Sequence, residues 1–124
     1  MAAISVLVDT DIRIDYLNAG QHTALLDHPR NRVYYSIVTR KELLAKRGLR
    51  SAEREAITDA LTRFRLVSLD QSITDRYSAL RTAHPELEKE DALIAATALA
   101  KRLPLMTRNW RHFRVIRGLI LFAG

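Results

Sequence analysis

The sequence predicts an α/β fold, a parallel sheet of about five strands with helices on both faces. Three observations predict it. Ala3 to Val8 (AISVLV) is a continuous apolar run rich in β-branched residues, as a strand buried on both faces requires. Further strand-like runs alternate with segments of helical periodicity, the pattern of right-handed crossover units. The chain has 124 residues, 48% hydrophobic and 27% charged, which suits a single globular domain over residues 1–124 and not a disordered chain.

Asp9-Thr10-Asp11 follows the first strand and can start a helix, with Ile12, Tyr16 and Leu17 on one face and a stop at Asn18-Ala19-Gly20. Thr23 to Asp27 is a short helix before His28-Pro29. Arg32 to Val38 (RVYYSIV) reads as the second strand. Thr39-Arg40-Lys41-Glu42 fits a capping box that opens a helix ended by Gly48. A second capping-type start at Ser51 opens a helix to about Arg63. Arg65 to Leu69 is the third strand, and Asp70 or Ser72 caps a helix toward Ala83. Glu90 to Arg102 is Ala-rich and apolar on many sides, so it is expected to be buried between other elements. Leu103 to Thr107 and Leu119 to Phe122 are the fourth and fifth strands.

Composition excludes several classes. The chain has no Cys, so thiolate zinc sites, Cys nucleophiles and disulfide scaffolds are ruled out. Its longest apolar stretches, Ala2 to Val8 and Leu119 to Ala123, fall far short of the ~20 residues of a membrane span. The first Arg is Arg13, so the start lacks the basic region of a signal peptide, and a cytoplasmic protein is expected. Lys and Arg total 20 against 14 Asp and Glu, a formal charge of +6 that favours polyanionic partners. Sixteen of those cations are Arg, the residue that pairs with phosphate and stacks on bases, although GC-rich codon usage would give the same bias.

Ligand sites in parallel sheets lie beyond the carboxyl ends of the strands. Asp9 sits at the end of the first strand, Glu42 in the first helical turn after the second, and Asn109 just past the fourth. Asp91 lies in the first turn of the helix leading to the fourth strand and joins them if that helix starts at the same edge. Two carboxylates about 5 Å apart repel by roughly 3 kcal/mol at an effective dielectric near 20. Three in one cleft titrate upward or bind a cation, and oxygen ligands without Cys favour Mg²⁺ or Mn²⁺. Such an ion activates water for attack on a phosphodiester, while the basic chain holds the backbone. Duller roles exist for each residue. Asp9 and Asp11 both fit a helix cap, and Glu42 fits the reciprocal half of the box with Thr39. Asp91 is favourable near any helix N-terminus, and Asn109 suits a turn. Trp110 and Phe113 read as packing residues. Lys101, Arg102, Arg108, Arg111, Arg114 and Arg117 form a run that is a solvated face or a phosphate-binding strip.

Four pieces stand out: Val8-Asp9-Thr10-Asp11, Ser36-Ile37-Val38-Thr39 with Glu42-Leu43, Asp91-Ala92-Leu93-Ile94-Ala95-Ala96-Thr97-Ala98, and Met106-Thr107-Arg108-Asn109 with Phe113. Together they resemble the PIN domain, specifically the small VapC-type toxins. They occur in the family's order and run almost end to end. The resemblance implies a three-layer α/β/α sandwich with a central parallel sheet of about five strands. It implies an acidic pocket of Asp9, Glu42 and Asp91 that binds Mg²⁺ or Mn²⁺, with Asn109 at the fourth, usually acidic, position. Asn brings no charge there, and His112 stands where many relatives have an acid. The implied activity is that of an endoribonuclease toxin, a homodimer neutralised by a cognate antitoxin. Arg108 and Arg111 are then candidate contacts to the RNA backbone.

Three other readings compete. A non-catalytic nucleic-acid-binding PIN-like module would keep the fold and the charge, and Asn109 favours it. A receiver-like phosphoacceptor domain would use Asp9, Asp11 and Asp70, but no Lys follows the fifth strand. A phosphatase using Asp9 and Asp11 lacks the usual Lys-bearing loop and cap.

Overall fold

The apolar run near the start of the chain forms the middle of the sheet. In a computed structural model, which describes residues 3–122, β1 (Ser5–Val8) lies between β2 (Arg32–Ser36) and β4 (Leu105–Met106), and β3 (Arg65–Val67) borders β2. The order is β3-β2-β1-β4 and every pairing is parallel. Successive residues of a strand face opposite sides. Val6 and Val8 accordingly join one core with Ile12, Tyr16, Val33, Tyr35 and Phe64, whereas Leu7 joins another with Ile73, Ile94, Leu105 and Phe113.

The helices divide the same way. On the Val6 side lie α1 (Thr10–Ala19), α2 (Thr23–Leu26), α3 (Ile37–Leu44) and α4 (Ser51–Leu61), which contribute Ile12, Leu26, Leu43 and Leu61. On the Leu7 side lie α5 (Gln71–Ala83), α6 (Lys89–Lys101) and α7 (Trp110–Phe113), which contribute Ile73, Ile94 and Phe113. This is the expected α/β/α layering, and α6 is buried at Ala92, Ala95, Ala96 and Ala98 as its composition requires. No helix among the described residues is long and apolar enough to cross a membrane.

Among the described residues, four strands replace the expected five. Leu119 to Phe122 makes a single parallel bridge, Leu105 to Leu121, with Leu105 N donating to Ile120 O (2.8 Å) and Phe122 N donating to Leu105 O (2.8 Å). Its partner β4 spans two residues, so there is little ladder for a fifth strand to extend. The second correction concerns the start of α3. Ser36, not Thr39, caps it, and Ser36 Oγ accepts from Val38 N (3.1 Å). The strand therefore ends at Ser36, and Glu42 falls in the second turn rather than the first. The capping-box explanation of Glu42 is thereby removed.

One buried residue breaks the polarity pattern. Arg13 has no exposed surface, and its guanidinium lies 3.4 Å from the Phe64 ring centroid, with Tyr35 at 5.5 Å and Tyr16 at 5.9 Å. Its three nitrogens have no hydrogen-bond partner among the described residues. Burial pulls its pKa down to about 10 against the opposing pull of Tyr16, Tyr35 and Asp27. Aromatic faces offset part of the cost of burying this charge, at about 2 kcal/mol for a desolvated stack.

Candidate active site

Asp9 follows the last residue of β1, where the chain leaves the sheet to start α1. It is only 4% exposed. Its Oδ1 accepts from Thr10 N (2.7 Å), and its Oδ2 accepts from Thr107 Oγ1 (2.8 Å) just beyond β4. Thr107 Oγ1 in turn accepts from Asn109 N (3.0 Å). Asp9 is thus both the helix cap and a carboxylate at the carboxyl edge of the sheet. The two readings are compatible because each oxygen serves a different neighbour.

Glu42 reaches this edge from α3. Its Oε1 accepts from Thr10 Oγ1 (3.0 Å), and Thr10 Oγ1 is also 3.1 Å from the buried Thr39 Oγ1. Thr10 therefore links Asp9 through its backbone to Glu42 through its side chain. Asp91 stands in the first turn of α6, and its Oδ2 lies 3.4 Å from His112 Nδ1 on α7.

The electrostatics join the three. Burial first, then Asp11 and, more weakly, Asp91 push the Asp9 carboxyl up to about 6, against the bonds from Thr107 and Thr10. Burial also raises Glu42, with Glu90, Asp91 and Glu88 adding to it and Thr10 opposing. Asp91 is raised by burial, while His112 holds it down. Each carboxylate resists ionisation, and a cation would relieve all of them.

The donor set fits a hydrated hard cation. It is all oxygen, and Asp11, whose charge bears on Asp9, adds a buried Oδ1 with no hydrogen-bond partner among the described residues. Among the described residues, there is no group of three acidic, His or Cys side chains placed to hold a metal ion. Mg²⁺ does not need one, because it retains several waters and binds through one or two carboxylates.

The remaining sequence candidates separate. Asn109 is exposed, its backbone serves Thr107, and its side chain makes no capping bond. Arg108 is held by α1: its N donates to Asp11 Oδ2 (3.0 Å), and its guanidinium lies 3.3 Å from Asp15 and 3.7 Å from Asp11. Arg111 is exposed and shares a cavity wall with Asp91. Phe113 is fully buried as a packing residue should be, but Trp110 is 44% exposed and does not pin the loop. Asp70 caps α5 and binds Lys101, two strands away from Asp9 in the sheet order. The receiver-like arrangement needs those two acids together and is excluded by that order.

Sequence reading gives no site role to Thr10, Thr107 or Asp15, and marks His112 only as standing where many relatives have an acid. The two threonines carried a signal, since each directly follows a strand end beside an acid or the Arg-Asn pair. Nothing local marked the contacts of Asp15 with Arg108 or of His112 with Asp91, which join residues distant in the chain.

The PIN domain profile matches residues 6–119. The chain is 31% identical over 121 residues to Ribonuclease VapC10 of Mycobacterium tuberculosis, covering 92% of this chain and 90% of that protein. It is 28% identical over 117 residues to Ribonuclease VapC1 of Methanocaldococcus jannaschii, covering 90% and 81% respectively. A toxin–antitoxin complex from Klebsiella pneumoniae superposes with a TM-score of 0.73 at 32% identity, over 93% of this chain and 95% of that one. VapBC2 of Rickettsia felis, bound to a promoter DNA fragment, has the same fold at a TM-score of 0.83 and 23% identity, over 96% and 98%.

Proposed function

The chain belongs to the PIN domain family, and from that premise we propose that it is a VapC-type ribonuclease toxin whose acidic site lies at the carboxyl edge of the sheet. Relatives that match over nine-tenths of the chain are ribonucleases by name, and a neighbour at 32% identity is a toxin–antitoxin complex. The observation that carries the site assignment is the state of Asp9. A carboxylate only 4% exposed at the carboxyl edge of the sheet is costly to keep, and Asp11 and Asp91 add to the cost of its charge instead of relieving it.

In this reading Asp9, Glu42 and Asp91 hold one divalent ion. Mg²⁺ or Mn²⁺ bound there supplies an activated water and offsets charge on the phosphodiester. Thr10 and Thr107 fix the orientation of Asp9 and Glu42 through their hydrogen bonds. The Asn109 amide, free of a capping bond, orients water at the rim. Arg111 contacts the RNA backbone, and Arg108 does so from a position braced by Asp11 and Asp15. RNA is the substrate, and the cognate antitoxin is the protein partner. A neutral or acidic antitoxin would complement the +6 charge of the chain. A homodimer of single-domain chains, acting in the cytoplasm where its RNA lies, completes the proposal.

Purified protein is tested on total RNA with Mn²⁺ or with EDTA, alongside Asp9→Asn, and the cleaved ends are mapped. Cleavage is expected with Mn²⁺ only, and only in the wild type. Cleavage in EDTA would overturn the metal dependence, and full activity of the variant would overturn the site.

A further inference from the structure

A cavity of about 300 Å³ opens between the start of α6 and α7. It shares Asp91 with the proposed metal ligands, so whatever fills it borders the acidic site. Its other walls include Glu86 and Glu88 before α6, Arg111 and His112 on α7, and Val115 just beyond. This volume is at the low end for ligand sites, large enough for one nucleotide but not for a base-paired segment.

The walls carry the three kinds of group that hold a single-stranded nucleotide. Arg111 can take a phosphate. Lys101 and Arg108, from the same basic run, are tied to Asp70 and to Asp11 and Asp15, whereas Arg111 makes no ion pair among the described residues. His112 offers a ring for stacking: its side chain is 59% exposed although Nδ1 touches Asp91. Val115, 54% exposed, adds an apolar surface. The rim is acidic. Glu86 lies 3.4 Å from His84, which leaves Glu88 as the carboxylate without an ion pair among the described residues.

An ionised carboxylate only accepts hydrogen bonds. Guanine alone presents two adjacent donors, N1–H and N2–H, which match both oxygens of one carboxylate. Adenine, cytosine and uracil each place an acceptor beside the donor, facing a carboxylate lone pair. We propose that this cavity is the subsite for the nucleotide next to the scissile phosphate, and that Glu88 selects guanine there. The proposal rests on the ribonuclease reading above and deepens it.

The test uses a pool of short RNAs randomised in sequence, digested in Mn²⁺ and mapped at every cleaved end. Wild-type protein is expected to favour guanine adjacent to the cut by about tenfold, the discrimination of one bidentate pair. Glu88→Gln, which puts a donor where an acceptor was, is expected to reduce that preference below about threefold. Val115→Trp, which fills the cavity from an exposed position, is expected to raise KM by more than it lowers kcat. Circular dichroism checks that both variants keep the fold. Cleavage without guanine enrichment, or enrichment unchanged in Glu88→Gln, overturns the subsite alone. No cleavage by the wild type overturns the ribonuclease reading and the subsite with it.

Discussion

Asp9→Asn should stabilise the metal-free fold at neutral pH while abolishing cleavage. Asp9 is 4% exposed, and burial, with Asp11 and Asp91, raises its carboxyl from 3.8 to about 6. Between about pH 4 and pH 6 the native state therefore binds more protons at this position than the unfolded chain does. Stability must fall as pH rises through that window. A rise of that size corresponds to about 3 kcal/mol, lost in full by pH 7 and hardly at all at pH 4. The amide keeps both contacts, since its oxygen can accept from Thr10 N and its NH₂ can donate to Thr107 Oγ1. Urea denaturation in EDTA at both pH values is the assay. The variant is expected to be more stable by about 2–3 kcal/mol at pH 7, several degrees in Tm, and nearly equal to wild type at pH 4. Excess Mn²⁺ should narrow the gap by stabilising only the wild type, by about 2.7 kcal/mol at a hundredfold excess over Kd. A gap independent of pH, or a variant less stable at pH 7, would refute the reasoning.

Thr107→Val leaves Asp9 Oδ2 and Asn109 N without their partner, at a cost of about 1–3 kcal/mol in urea unfolding. Because that bond holds the Asp9 pKa down, its loss should move the acidic limb of the pH–rate profile to higher pH. Arg13→Met exchanges an unpartnered buried charge for an apolar side chain of similar reach, and is expected to leave stability unchanged or raise it by about 1–3 kcal/mol. A lower urea midpoint would show that the aromatic stack outweighs desolvation. Gly118→Ala should cost about 1–2 kcal/mol through backbone strain, because φ is 85° there while the added Cβ meets nothing nearer than Leu99 at 3.7 Å. Thermal melts of the variant and wild type measure that difference.

Much of this molecule was legible locally. β1 announced itself because a strand covered on both faces reads as a nearly unbroken apolar run, with Ser5 its one polar residue, and α6 because an Ala-rich stretch favours helix and packs closely. Asp9 could be set at the end of the first of these, whereas Asp91 could be set only in the first turn of the second, with the edge it faces left open. Glu42 was harder, since Ser36 and Thr39 are both good caps. Ser36 caps because β2 stops pairing there, and that exposes the amides it serves. The fifth strand failed for a related reason: a strand needs a partner of matching length, and β4 offers two residues.

The order of residues determined by itself the alternation of strands and helices, the two faces of each strand and the acids at the strand ends. These follow from periodicities of two and 3.6 residues and from short-range hydrogen bonding. Only the folded chain decided that Thr107 would meet Asp9 across 98 positions, that Arg108 would be clasped by α1 and that Arg13 would lie among rings. Those contacts join segments far apart in the chain, so their energies depend on distances and burial that no local window of residues contains.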